Sequence, residues 1–173
     1  AFQLLSEQKQ IAPDIRVELI SLLARAAGPE GMVGGQAHDI EAEGKHLTLS
    51  ELKILDACKT GCLLSAPVSM ACAVAGTALK DRVLLENFAA HLGLLFQITD
   101  DLLDEKGNLE DMGKMPGQDE KDHKSTFVTI LGVEEAEKYA EEEGALAKEA
   151  LAKLPFDSTI LYELTDLLLH RKK

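Results

Sequence analysis

Apolar residues recur at α-helical spacing through nearly every segment of the chain, and no useful length alternates apolar and polar residues as a strand does. Leu and Ala supply most of the apolar residues, which make up 46% of the 173, while aromatic residues make up 4%. Both are strong helix formers. The sequence therefore predicts an all-α fold, and its length favours a single domain spanning residues 1–173.

Start and stop signals divide this pattern into individual helices. They predict helices over about 13–27, within 31–43, from the Thr48-x-x-Glu51 capping box onward, over about 81–104, over 134–153 and over 158–170. The first residues lack a cap or turn signal and are expected to lie within a helix. Pro67 is expected to kink the apolar helix that follows the capping box or to divide it in two. The polar segment 106–123 is expected to be a loop.

Charge and hydropathy argue against two classes of partner. Thirty acidic and eighteen basic residues give a net charge of −12, and the resulting field repels nucleic acid and anionic membranes. The longest run without charge, Leu63 to Leu79, contains 17 residues, whereas a membrane-spanning helix needs about 20. We therefore expect this run to form a buried core helix, with no stable membrane insertion and no nucleic-acid partner.

The cysteines indicate a reducing compartment. Cys58, Cys62 and Cys72 are odd in number and form no C-x-x-C pair, so neither a disulfide framework nor a structural zinc site is expected. We therefore expect a cytoplasmic protein.

Three aspartates in the segment 96–104, F-Q-I-T-D-D-L-L-D, are the residues most informative about chemistry. On a helix, Asp100 and Asp104 share a face one turn apart, and Asp101 lies about 100° around the axis. Such a cluster is unfavourable near the negative end of a helix unless a cation is present, and oxygen ligands suit Mg²⁺. The alternative, a solvated last turn, remains open at this point.

Lys59-Thr60-Gly61 lies within an apolar helical stretch. A lysine in such a place often extends its ammonium group to solvent. The other interpretation is a lysine that points into a cavity and binds an anion, with Gly61 allowing a close approach.

Two further polar segments, 34–39 and 113–126, carry weaker signals. The first begins Gly34-Gly35 and is either a helix-packing seam or the lining of a ligand site, and the second is a lysine-containing loop that follows the aspartates. The candidate residues in these segments are Gln36, Asp39, Lys114, Asp119 and Lys124.

Five motifs, taken together, resemble in order and spacing those of the all-α trans-isoprenyl diphosphate synthases, in particular the bacterial farnesyl diphosphate synthases. They are G-G-Q-x-x-D, K-T-G, F-Q-x-x-D-D-x-L-D, G-K-x-x-G-x-D and K-S-T. The resemblance covers the whole chain and implies an isoprenoid synthase-type helical bundle. The first aspartate-rich motif of that family and the two arginines that follow it do not occur in this sequence. The resemblance therefore implies the C-terminal part of such a bundle.

The resemblance also implies a Mg²⁺-dependent prenyltransferase that joins an allylic diphosphate (dimethylallyl or geranyl) to isopentenyl diphosphate and forms farnesyl diphosphate, in a homodimer. The implied roles are carried over residue by residue. Asp100 and Asp104 would bind Mg²⁺, with Asp101 supporting them or binding through water. Lys59, Lys114 and Lys124 would bind the allylic diphosphate, and Asp119 would orient the loop. Thr60 and Gln97 would face the allylic cation, and Gln36 and Asp39 would line the cavity.

Three alternatives stay open from sequence alone. The product could be geranylgeranyl diphosphate or a longer chain. The chain could be a non-catalytic helical subunit of a prenyl synthase, which the missing first motif would explain. A class I terpene cyclase shares the metal chemistry, although the G-K-x-x-G-x-D and K-T-G elements do not fit that class.

Overall fold

The computed structural model describes residues 1–106 and 124–171, and within these ranges it contains helices and turns but no strand. The all-α prediction is therefore confirmed for the described residues. The helices are α1 (Phe2–Ser6), α2 (Pro13–Ala27), α3 (Met32–Ala42), α4 (Leu49–Asp56), α5 (Cys62–Ala75), α6 (Leu79–Lys106), α7 (Phe127–Leu131), α8 (Val133–Ala152) and α9 (Thr159–Leu169).

Local capping signals explain where several of these helices begin. Thr48 accepts a hydrogen bond from the Glu51 N–H at 3.3 Å, and Glu51 accepts one from the Thr48 N–H at 2.8 Å, which confirms the predicted capping box. Pro13 begins α2, where its missing N–H costs nothing. The short helix α7 was not predicted, and it begins with a similar reciprocal pair between Thr126 and Thr129.

The helical segment from α4 to α5 does not divide at Pro67, which excludes one of the two outcomes expected there. Pro67 lies inside the uninterrupted helix α5. The irregular turn occurs earlier, where Ala57–Gly61 forms a π-helical turn between α4 and α5. A π turn holds one extra residue per turn, and such turns are frequent at functional sites.

The central helix of the bundle is α6, which is 28 residues long and packs against α5, α7, α8, α9 and the π turn. Leu95 and Ile98 of α6 are fully buried with Phe127 of α7 in one apolar cluster. Phe88 of α6 and Leu151 of α8 belong to a second cluster further along the helix. Because α6 contributes to both clusters, its position is fixed along its length.

Helix α5 is less buried than the sequence predicts. Ala66, Cys72 and Ala73 are buried, but Val74 is 55% exposed. Among the described residues, α5 packs mainly against α2, α6 and the π turn, which leaves its outer face open. By length and composition the continuous stretch Leu49–Ala75 could cross a membrane, a criterion that core helices of soluble proteins also meet.

The predicted loop 106–123, apart from Lys106 at the end of α6, lies outside the described residues. Lys114 and Asp119, two of the candidate substrate-binding residues, therefore also lie outside them.

Candidate active site

The π turn that carries Lys59 is held closely between two helices. A Cβ atom on Gly35 of α3 would lie 2.3 Å from the Lys59 backbone nitrogen, and one on Gly93 of α6 would lie 3.2 Å from the Gly61 Cα. Only glycine permits the first approach, since the obstructing atoms are backbone. The glycine seam predicted in segment 34–39 is thus a helix-packing contact, and it fixes where the next residues point.

Asp39 of α3 contacts two lysines from separate segments. Its Oδ2 atom accepts a hydrogen bond from Lys59 Nζ at 2.8 Å and lies 3.6 Å from Lys124 Nζ. The Asp39 side chain is 14% exposed. Lys59 therefore turns toward a partly enclosed carboxylate and not simply toward solvent.

Lys124 lies in the segment that precedes α7, and hydrogen bonds of its neighbour Ser125 hold this segment in position. The Ser125 hydroxyl donates a hydrogen bond to the Lys45 carbonyl at 3.2 Å and accepts one from the Leu47 N–H at 3.0 Å. These bonds join the segment to the turn between α3 and α4, and they bring Lys124 to the same region as the π turn.

Thr60, Gln97 and Asp101 form a hydrogen-bonded chain next to the two lysines. The Thr60 hydroxyl donates to Gln97 Oε1 at 3.2 Å, and Gln97 Nε2 donates to Asp101 Oδ1 at 3.0 Å. Asp101 Oδ2 in turn accepts the Phe127 N–H at 2.8 Å. Because Asp101 takes the amide N–H of Gln97, the carbonyl oxygen of Gln97 is left facing Thr60.

The three aspartates of α6 have different surroundings. Asp101 is buried, and both of its oxygens accept hydrogen bonds from the protein. Of the two roles that the resemblance implies for it, support of the other aspartates or binding of Mg²⁺ through water, these bonds favour support. Asp104 is also buried. Asp100 is 51% exposed, and its Oδ1 atom accepts a hydrogen bond from Arg171 at 3.1 Å. The Arg171 guanidinium also lies 4.6 Å from the centre of the Phe96 ring.

The donor set fits Mg²⁺ that is shared with a phosphate ligand. In the described part of the chain, no three His, Cys, Asp or Glu side chains converge in a way that could hold a metal by themselves. Asp100 and Asp104 offer two carboxylates on one face of α6. Mg²⁺ commonly binds through one or two carboxylates, with substrate phosphates and water completing its octahedron.

A polar cavity of about 60 Å³ brings five of the predicted residues together with a sixth that the sequence analysis missed. The six residues are Asp39, Asp56, Lys59, Gln97, Asp101 and Lys124. Gln36 is exposed and does not line the cavity, and neither do Asp100 and Asp104.

Asp56, the missed residue, is the last residue of α4 and only 7% exposed. Its Oδ2 atom has no hydrogen-bond partner among the described residues. Burial, together with the charges of Asp101 and Asp39, raises the pKa of its carboxyl from 3.8 to about 7, although the charge of Lys59 acts to lower it. The available signal was spacing, since Asp56 follows buried Leu52 by four residues and therefore lies on the inner face of the helix.

The polyprenyl synthetase family model matches residues 1–159. The chain belongs to this family. A farnesyl diphosphate synthase of Geobacillus stearothermophilus is 47% identical over 135 residues, which are 77% of this chain and 46% of that protein. A geranylgeranyl diphosphate synthase of Cyanophora paradoxa is 36% identical over 173 residues, 99% of this chain and 58% of that protein. This polyprenyl synthetase chain thus spans about half the length of these curated relatives.

Solved structures agree with the family and confirm the predicted fold. The structure of a Helicobacter pylori geranyltransferase in complex with magnesium and isoprenyl diphosphate superposes with a TM-score of 0.82 at 34% identity. The match covers 97% of this chain and 55% of that one.

Proposed function

We propose that the chain is the C-terminal part of a prenyltransferase that condenses an allylic diphosphate with isopentenyl diphosphate and forms farnesyl diphosphate. The observation that carries this proposal is the convergence of Lys59 and Lys124, two cations from distant segments, at one polar cavity beside Thr60 and Gln97. Family membership and relatives that are named farnesyl diphosphate synthases support the reaction class.

In this proposal, Lys59 and Lys124 bind the diphosphate of the allylic substrate. As the carbon–oxygen bond breaks, negative charge develops on the departing diphosphate, and two ammonium groups already in place stabilise it. The oxygens of Thr60 and Gln97 face the carbon that becomes positive. Asp101 fixes the Gln97 amide, so that its carbonyl oxygen and not its N–H faces Thr60.

Mg²⁺ is the metal we propose, held by Asp100 and Asp104. When bound, it supplies Lewis-acid stabilisation of the departing diphosphate. Arg171 neutralises Asp100 in the arrangement described here, and Asp101 supports the neighbouring residues through its hydrogen bonds.

The proposal extends to the setting of the reaction. Cys58, Cys62 and Cys72 are free thiols, which supports a cytoplasmic location. We also propose a homodimer, on the family resemblance alone. The similarity to a geranylgeranyl diphosphate synthase makes a longer product the second candidate, and chromatography of the dephosphorylated products separates the two.

A condensation assay with labelled isopentenyl diphosphate tests the proposed function. We expect the 173-residue chain to form no prenyl product by itself. A longer protein that contains this chain and also the family's first aspartate-rich motif, D-D-x-x-D followed by two arginines, should form farnesyl diphosphate. Product formed by the 173 residues would show that this first motif is dispensable. A gene that starts near Ala1 and encodes no such motif would instead favour the non-catalytic subunit.

A pair of lysine variants tests the site itself. Lys59→Ala should weaken the binding of the allylic diphosphate, because the cavity loses one of its two ammonium groups. Lys80→Ala removes the same charge from an exposed position in the first turn of α6 and should leave binding unchanged. Equal effects in titration calorimetry would show that Lys59 is not a ligand.

A further inference from the structure

Asp39 lies where three separate segments of the chain meet. It belongs to α3, Lys59 belongs to the π turn, and Lys124 belongs to the segment before α7. Both ammonium groups approach the same carboxylate oxygen, Oδ2, at 2.8 Å and 3.6 Å. A single oxygen atom thus holds two like charges in one small volume.

A carboxylate in this position is not suited to bind a diphosphate directly. An ionised carboxylate and a diphosphate are both anions and both accept hydrogen bonds, so neither offers the other a donor. The contacts made by Asp39 are to the two lysines. Any effect of Asp39 on a diphosphate at this cavity must therefore act through Lys59 and Lys124.

We propose that Asp39 is a positioning residue, which gathers Lys59 and Lys124 into a single anion-binding subsite before the diphosphate arrives. The inference rests on the proposed function, in which these two lysines bind the diphosphate. Each lysine side chain is about one third exposed, at 31% and 29%. Without Asp39, the mutual repulsion of the ammonium groups and the flexibility of their side chains would favour separate positions in solvent. Ordering them in advance lowers the entropy lost on binding.

The alternative is that Asp39 is only a counter-ion for the two lysines. The two roles predict opposite effects of an Asp39 substitution on the strength of anion binding. If only charge mattered, removing a negative charge beside the two lysines would raise the local positive potential and strengthen anion binding. Under the positioning role, the same substitution weakens binding although the site becomes more positive. The sign of the effect therefore separates the two views.

The experiment measures the binding of inorganic pyrophosphate to the 173-residue chain by titration calorimetry in EDTA. Asp39→Asn is compared with Glu43→Gln, which removes an equal charge from the same cavity and makes no ion pair within the described residues. We expect Asp39→Asn to weaken binding about tenfold, as loss of preorganisation would, and Glu43→Gln to leave it unchanged or slightly stronger. Asp39→Ser, which also lacks the charge, serves if the Asn variant does not fold.

A second comparison shows whether the effect passes through the lysines. In the Lys59→Ala background, where Lys124 still offers a cation, Asp39→Asn should weaken pyrophosphate binding by a smaller factor than in the parent chain, whereas a purely structural role would weaken it by the same factor in both. Stronger binding in Asp39→Asn, or a change equal to that in Glu43→Gln, would overturn the positioning role.

The same titrations separate failure of this inference from failure of the proposed function. If Lys59→Ala and Lys124→Ala each weaken binding but Asp39→Asn does not, only the positioning role is wrong. If neither lysine variant changes binding, the anion site itself is wrong and both proposals fall. If the parent chain binds pyrophosphate only when Mg²⁺ replaces EDTA, the same variants are compared in Mg²⁺ and the same outcomes decide.

Discussion

Asp56 provides a quantitative test of the electrostatics of the cavity, through the pH dependence of stability. Its carboxyl is buried at the end of α4, and burial together with the neighbouring carboxylates of Asp101 and Asp39 outweighs the favourable charge of Lys59. The pKa in the folded chain is about 7, compared with 3.8 for an unperturbed aspartate. Above pH 7 the folded state must therefore hold a buried negative charge that water would solvate better in the unfolded state.

The size and the sign of the effect follow from proton linkage. Between about pH 4 and pH 7 the folded state binds more protons at Asp56 than the unfolded state does, so stability decreases as the pH rises through this window. A shift of about three pKa units corresponds to roughly 4 kcal/mol, at about 1.4 kcal/mol per unit. The penalty is small at pH 4, roughly 0.6 kcal/mol, and almost fully present at pH 8.

Asp56→Asn replaces the carboxyl with an uncharged group of the same shape. We expect the variant to be more stable than the parent at pH 8, by up to about 4 kcal/mol, and within about 1 kcal/mol of it near pH 4. Urea unfolding followed by circular dichroism at both pH values measures the difference. Glu142→Gln, which changes an exposed carboxylate on α8, is the control and should show little change at either pH. A variant less stable than the parent at pH 8 would show that Asp56 is ionised and favourably paired, and would refute the reasoning.

Three further predictions follow from contacts described above. In a complete, active protein, Asp100→Ala or Asp104→Ala should lower the condensation rate by about a hundredfold or more with little loss of stability, and near-parental kinetics at saturating Mg²⁺ would end the metal assignment. Gly35→Ala should destabilise the chain by about 3 kcal/mol or more in urea unfolding, because its Cβ would meet the Lys59 backbone at 2.3 Å; unchanged stability would contradict that packing. Thr48→Ala should cost about 1 kcal/mol in the same assay through loss of the capping box, and no loss would show that the cap is dispensable.

The helices that sequence reasoning placed well are those whose ends carry local signals. Pro13 marks a helix start through its missing N–H, and the Thr48–Glu51 box marks another through bonds between residues three apart. In both cases the sequence nearby contains the whole cause. The first turn of α7 depends on an equally local pair, Thr126 and Thr129, although no helix was predicted there.

The features that sequence reasoning missed depend on residues far apart in the chain. The direction of Lys59 stayed open between solvent and cavity, and it is decided by Asp39, which lies 20 residues earlier on another helix. The contact of Asp100 with Arg171 joins residues 71 positions apart. Periodicity places a residue on a face of its own helix, but it does not say which charge from another helix meets that face.

The π turn places two consecutive side chains in contact with different helices on either side of the candidate site. Lys59 contacts Asp39 on α3, and the next residue, Thr60, contacts Gln97 on α6. Consecutive side chains of a helix point about 100° apart, so both contacts require a helix close to the turn on each side. Gly35 of α3 permits one of these close approaches. The directions of the lysine and the threonine therefore depend on backbone packing, and a methyl group added at Gly35 should disturb the anion site without removing any polar group from it.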